Sequence, residues 1–460
     1  MPRCLPTVSV GQRRLASLTP ANYDRAMRVA PALALIALFS CGSSNQVTYE
    51  KDVRPVMEAR CVSCHSAGGI APFELTTYEQ VAAVKDAVAL AVKNRTMPPY
   101  LAAPGCTEYA DDQNLTDEQI AMLQTFASTG APRGTVTKPA SSSSASLETS
   151  LPQVDLTLGM PQAWTPMKDP DDYHCFVIDW PHQTEKYVTG FNVKPGNARV
   201  VHHAIAFLIP PDKVSTIAAL DDAEAGPGYT CYGGPGGNQS TVAWVGSWAP
   251  GVTANMYPAD TGLLIRPGSK IVLQMHYNTA ATPNAVDRVD QTSIELALAD
   301  SVKRKAFIMP WANPDWVRNQ KMPIPAGQAD VTHSFQFDPT GFLRNISGGV
   351  LQNNAAVRIH SAGFHQHVLG TGGRLEVERP DGSNECLINL PRWDFHWQRS
   401  YRLAAPKILR VGDQLKLSCS WNNTDAFQPV VNGQRQPTRD VNWGEGTGDE
   451  MCLGILYVSE

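Results

Sequence analysis

The spacing of apolar residues along this chain changes character partway. Between residues 46 and 134 it is helical. Val81, Val84, Val88 and Ala91 recur at intervals of three and four, which predicts one apolar helix face. Leu115-Thr116-Asp117-Glu118 predicts the start of another helix, with Thr116 as its N-cap. Beyond residue 152 the period shortens to two. ARVVHHAIAFLI, SKIVLQMHYNT, TSIELALA, GRLEVERP and DQLKLSCSW read as short strands broken by Gly, Pro and Asn turns, a pattern of antiparallel sandwiches. PASSSSASLETS separates the two regimes and reads as a flexible linker over residues 135–152.

Length and composition sharpen this picture. The 460 residues suffice for several domains, and the 43% hydrophobic content allows sizeable cores. Thirty-five Gly and 35 Pro fit a loop-rich β protein. A net charge of -5 gives no sign of a nucleic-acid partner. Residues 1–41 read as a leader. ALALIALFS is too short to span a bilayer and suits a signal segment, with Met27 and Arg28 as an alternative start and charged n-region. Leu38-Phe39-Ser40-Cys41 resembles a lipobox, with Phe39 where a small residue is usual. The expectation is an exported bacterial protein, periplasmic or anchored to the outer membrane by lipid on Cys41, in which disulfides are allowed.

Two groups of residues carry candidate chemistry. The first is Cys61-Val62-Ser63-Cys64-His65, a CxxCH motif. Its thiols can form thioethers with haem vinyl groups, and His65 can bind the iron. Met97, in RTMPPY, is the candidate sixth ligand. The alternatives are a chance match and a zinc or redox CxxC. The stretch from CVSCH to GAPRG resembles the small cytochrome c domains fused to exported bacterial enzymes, which implies covalent haem c.

The second group is two sets of three. His202, His203 and His276 form one; His365, His367 and Met451 form the other. Imidazole with thioether is a ligand set for copper that passes through Cu(I). His365 and His367 are two residues apart, so on a strand they face one side. His202 and His203 are adjacent and would face opposite sides, so binding one metal requires a bulge. Spacing alone leaves both sets open, because a histidine is more often a surface or core residue than a ligand.

VVHHAIAFLI, LQMHYN, HQHVLG and DEMC occur in the order and approximate spacing of the copper type II, ascorbate-dependent monooxygenases. These include peptidylglycine α-hydroxylating and dopamine β-monooxygenases. The resemblance covers roughly residues 153 to 460, and GEGTGDEMC is similar to the bacterial branch. It implies a mainly β fold: two tandem antiparallel jelly-roll-like β-sandwich domains, at 153–295 and 296–460, after a small all-α cytochrome c-like domain at 46–134. It implies an electron-transfer copper on His202, His203 and His276, with Gln274 close by. A second copper, on His365, His367 and Met451, would bind dioxygen across a solvent-filled cleft. It also implies disulfides Cys175–Cys231 and Cys419–Cys452. Cys106 and Cys386 acquire no partner from it, and His174, His182, His333, His360 and His396 acquire no metal role.

Departures from the family pattern bear on the substrate. Gly363, Leu453 and Ile455 stand where the peptide-hydroxylating enzyme holds a carboxylate, so a glycine-extended peptide is disfavoured. The expected activity is hydroxylation of a C–H bond in a small organic substrate with dioxygen. Electrons would come from ascorbate or a redox protein, through the haem domain. The rival readings are an exported electron-transfer or copper-binding protein without catalysis, and a zinc hydrolase, for which Met451 is a poor ligand.

Overall fold

In a computed structural model of the chain, the described residues are 46–460, apart from 68–70, 136–149, 233, 237–242, 250–253, 280–281, 432, 445 and 447. The leader, with Cys4 and Cys41, and most of the expected linker lie outside the described residues.

Strands dominate beyond residue 150. The largest sheet has nine strands. Its path is β1 (Leu156–Gly159), β10 (Ser293–Ala299), β3 (Lys186–Lys194), β8 (Thr261–Ile265), β11 (Arg304–Trp311), β20 (Leu453–Ser459), β13 (Val357–His365) and β16 (Ser400–Leu409), with β7 (Asn255–Met256) paired to β3. The pairing of β8 with β11 is parallel and joins the strands of the first half to those of the second. A five-stranded sheet, β5 (Tyr229–Thr230), β2 (Asp171–Asp179), β9 (Lys270–Asn278), β4 (Val201–Ile209) and β6 (Ala243–Trp248), belongs to the first half. A four-stranded sheet, β12 (Val331–Phe337), β17 (Gln414–Trp421), β14 (Gly370–Glu378) and β15 (Asn384–Leu390), belongs to the second. A short ribbon pairs β18 (Val430–Val431) with β19 (Gln434–Arg435).

Alternation decides what each strand buries. One core takes Phe176, Phe191, Ala204, Leu273, Met275 and Ile294 from both sheets of the first half. A second takes Phe307, Ile359, Phe364, Leu375, Leu417, Trp421 and Leu456 from the second. Each buried Leu, Ile or Phe contributes about 1.5–3 kcal/mol. The sheets of the second half approach closely at Gly373, where a Cβ would collide with the ring of Phe364. That contact seats the strand that ends in His365.

The helical section comprises α1 (Arg54–Arg60), α2 (Tyr78–Ala83), α3 (Lys85–Lys93) and α4 (Asp117–Ser128). Thr116 caps α4 through a reciprocal box with Gln119, and Thr77 caps α2 in the same way with Gln80. The apolar face predicted through Val81, Val84 and Val88 is split. Val84 leaves helical geometry between α2 and α3, and this shifts the phase so that Val92, rather than Ala91, is the deeply buried residue of α3. Tyr100, Leu101, Ala102 and Tyr109 leave this section and enter the core of the second β half. The disulfide Cys106–Cys386 fastens them there, pairing the two cysteines that the sequence leaves unassigned. Cys175–Cys231 and Cys419–Cys452 are paired as expected. Among the described residues no helix is long and apolar enough to cross a membrane.

Glu450 is fully buried where three pieces of chain meet. Its carboxylate accepts from His367 N (2.9 Å), Leu369 N (2.6 Å), Trp421 Nε1 (2.9 Å) and Met451 N (3.3 Å). Burial pushes its carboxyl up to about 7, while these donors pull in the opposite direction. Both oxygens accept, so an amide must turn its NH2 toward a donor. Glu450→Gln is therefore expected to lose about 2 kcal/mol of stability, read as a lower urea midpoint at pH 8 with unchanged slope.

Candidate metal centre

Strands β4 and β9 build the first site. Their register runs Val201 to Tyr277 and then His203 to His276, so His202 is an extra residue in a bulge. The bulge removes the objection that adjacent histidines face opposite sides. His202 Nδ1 and His203 Nδ1 each lie 3.1 Å from His276 Nδ1. Nitrogens bound about 2.0–2.1 Å from a common ion stand about 3 Å apart, so the three fit a single metal. One ligand atom from each of the three histidines falls within 4.8 Å of the others.

The surroundings fix these rings. His276 Nε2 donates to Asp171 Oδ1 at 2.8 Å, which leaves Nδ1 free to coordinate. Tyr173 stacks on the His276 ring at 4.1 Å between centroids. Burial, then the neighbouring imidazoles, holds His203 and His276 well below the usual histidine range. Burial, then His396, pushes His202 down to about 4. Neutral imidazoles are what metal binding needs.

The second site lies where β13 ends and β20 begins. His365 pairs with Leu453, and His367 and Met451 lie two residues beyond these strand ends. Met451 is buried, and Glu450 beside it binds the backbone of His367. The His365 and His367 rings are 5.1 Å apart. His365 Nδ1 donates to Gln398 Oε1 (2.6 Å) and His367 Nδ1 to the Asp449 carbonyl (3.0 Å), so both present Nε2. Burial, then His365, pushes His367 down to about 3. Gly363 pairs with Ile455 on the same two strands.

The sites are neighbours. The Phe395 ring lies 5.8 Å from the His202 ring and 6.2 Å from the His367 ring. His396, given no metal role from sequence, stands edge-on to His202 at 5.7 Å. Gln274 is buried on the same face of β9 as His276, and its Nε2 donates to Gly234 O (3.2 Å) beside the Cys175–Cys231 bridge. His174, His333 and His360 hydrogen-bond to Pro227 O, Pro323 O and Ser459 Oγ, as structural histidines do. Sequence reasoning missed Asp171, Gln398, Phe395 and Glu450. Only Glu450 carried a local signal, its place directly before Met451 in DEMC.

In the helical section, Cys61 and Cys64 are the free cysteines among the described residues. His65 is buried, and its Nδ1 donates to Phe73 O at 3.0 Å, which leaves Nε2 for a metal. Burial, then Cys64, pushes the Cys61 thiol up to about 12. Met97 lines a small hollow with Val92, Tyr100, Leu115 and Ile120.

No family model matches the chain. Curated relatives do, among them the following two. "DBH-like monooxygenase protein 1" from Homo sapiens is 22% identical over 321 residues, which is 67% of this chain and 47% of the relative. Its Mus musculus counterpart is 22% identical over 294 residues, 62% of this chain and 44% of the relative. The chain thus spans less than half the length of either. Solved structures match only remotely: the major capsid protein P2 of bacteriophage PM2 at TM-score 0.26 and 9% identity, covering 66% of this chain and 96% of that one, and the infectious bursal disease virus VP2 particle at 0.17 and 10%, covering 66% and 70%. The likeness to these relatives is distant, and the histidine triad is the candidate metal centre on its own geometry.

Proposed function

We propose that this protein is an exported copper-dependent monooxygenase that hydroxylates a C–H bond of a small organic substrate, with electrons supplied through haem c in the helical section. The observation that carries it is the convergence of His202, His203 and His276 Nδ1 at 3.1 Å, beside a second pair of imidazoles that both present Nε2. Two copper ions would supply one-electron storage for the reaction R–H + O2 + 2e− + 2H+ → R–OH + H2O. The chain supplies binding and orientation. Gln398 and the Asp449 carbonyl hold His365 and His367 in one tautomer, Asp171 does so for His276, and the Met451 thioether favours the lower oxidation state of its metal.

The wall of Gly363, Leu453 and Ile455 offers a carboxylate no cationic partner, which favours small apolar or aromatic substrates. The same reading takes residues 153–295 and 296–460 as jelly-roll-like copper domains and 46–134 as a cytochrome c-like domain. His65 Nε2 and Met97 would ligate its iron. Ascorbate or a redox protein is the donor. The three disulfides suit an oxidising compartment, the bacterial periplasm or the outer-membrane surface, with Cys41 as the lipid-bearing residue.

Copper titration of the full chain is expected to give two ions per molecule. Met451→Ala is expected to retain about one ion and lose hydroxylation of aromatic and apolar test compounds, followed with labelled dioxygen. Near wild-type turnover in that variant would refute the assignment. Because His202 and His367 are already neutral well above pH 4, copper binding at pH 6 is expected to release close to no imidazole protons. Calorimetry in buffers of differing ionisation enthalpy measures this, and release of several protons per ion would contradict it. Protein matured with c-type haem machinery is expected to keep its haem in denaturing gels, and Cys61→Ala with Cys64→Ala to lose it. Met97→Ala is expected to change the low-spin spectrum.

A further inference from the structure

Residues 392–399 join β15 to β16 and meet both imidazole sites. Trp393 Nε1 donates to His367 O at 3.0 Å. Phe395 lies between His202 and His367, and His396 stands against His202. Gln398 accepts from His365 Nδ1. Bonds inside the loop, from His396 N to Asp394 Oδ1 and from Gln398 Nε2 to Phe395 O, set its shape. They do not set where its ends stand.

Apart from the bond from Trp393 N to Thr371 O of β14 (2.8 Å), the ends are held by the helical section. Arg392 Nη2 donates to Arg95 O at 2.9 Å. Arg399 Nη2 pairs with Asp111 at 2.9 Å, with its guanidinium 5.1 Å from the Tyr100 ring and 5.6 Å from the Tyr401 ring. The strands that flank the loop are both sheet ends: β15 closes the four-stranded sheet and β16 closes the nine-stranded one. Residues 101–110 cover both edges. Ala103 N donates to Asn389 O (2.8 Å), Tyr109 Oη to Leu387 O (3.3 Å), and Cys106 is bonded to Cys386 on the β15 side. On the β16 side, Ala404 N donates to Glu108 O and Ala110 N to Arg402 O, both at 2.9 Å. The helical section thus spans the base of the loop from strand to strand.

We infer that residues 95–111 form a clamp that positions loop 392–399 on both imidazole sites, with Arg392 and Arg399 as positioning residues. The helical section is then a structural part of the metal centre as well as its electron source, and it acts through a fixed contact rather than through a freely diffusing tether. The inference deepens the copper reading and rests on it only for the identity of the metal. Groups that orient a ligand from behind change metal affinity by about 10–100-fold when removed. A loop freed at both ends releases Gln398 from His365 and Trp393 from His367 together.

The test uses the full chain with Arg392→Ala and Arg399→Ala combined. Both side chains are partly buried, and Asp111→Asn stands in should the double variant not fold. In the metal-free protein, nitrogen NMR of the imidazoles reads the His365 Nδ1–H hydrogen bond directly. The expected result is loss of its protection from exchange in the variant, and its return when Arg399→Asp is combined with Asp111→Arg. In the loaded protein, competition titration with copper is expected to show affinity at the His365, His367 and Met451 site about 10–100-fold weaker. The same loss is expected in a Cys61→Ala, Cys64→Ala background, which separates the clamp from the haem. An unchanged His365 signal with unchanged copper affinity would overturn the clamp. Wild-type protein that binds no copper would instead overturn the proposed function, and the NMR arm would still decide the clamp.

Discussion

The buried carboxylate of Glu450 is the interaction on which the geometry of the second half depends. Four donors from three places in the chain point at it: two from the turn after β13, one from the end of β17 and one from the approach to β20. A carboxylate only accepts, so it satisfies all of them at once, which neither an amide nor an apolar side chain does. Removal of such a group from water is unfavourable, and its raised carboxyl records that cost. What the cost secures is register. His367 is bound through its backbone to the residue that precedes Met451, which ties the turn after β13 to the approach to β20. The Cys419–Cys452 bridge lies beside the same junction and ties β17 to the approach to β20.

The first site is built by a different device. Two adjacent histidines on a regular strand diverge, and the bulge at His202 turns that divergence into convergence on His276. With their outward nitrogens occupied by Asp171, Gln398 and the Asp449 carbonyl, three of the imidazoles are committed to a single coordinating atom each. Burial keeps them neutral. Phe395 then brings the two sites within reach of one ring.

Local patterns were the legible part of the sequence. The strands around His202, His276, Ser293, Gly370 and Gln414 and the cap at Thr116 follow from alternation and capping chemistry, and the structure has them. The need for a bulge at His202 was legible too, because it follows from strand geometry alone. The partners of the histidines were not. Asp171 is 105 positions from His276, and Gln398 is 33 from His365, and nothing local marks either as a hydrogen-bond acceptor. Cys106 and Cys386 are 280 residues apart, and their pairing depends on a docking that no period encodes. The break at Val84 likewise comes from packing between α2 and α3 rather than from propensity.

That docking changes what the helical section does for the rest of the chain. An open sheet edge presents unpaired N–H and C=O groups, and proteins blunt such edges by covering them. Here one short stretch, residues 101–110, covers an edge of each of two sheets and carries a disulfide into one of them. Had the section been only a carrier on a flexible linker, its contacts would be few and polar. Instead Tyr100, Leu101, Ala102 and Tyr109 are buried in the same core as Phe364 and Met451. Tyr100, Tyr109 and Tyr401 meet ring against ring, with centroids 5.0–6.2 Å apart. The residues that would hold iron and those that would hold copper therefore share one folded body. Any change in how residues 100–111 pack reaches His365 and His367 through Arg399, Gln398 and Trp393, with no rearrangement of the sheets required.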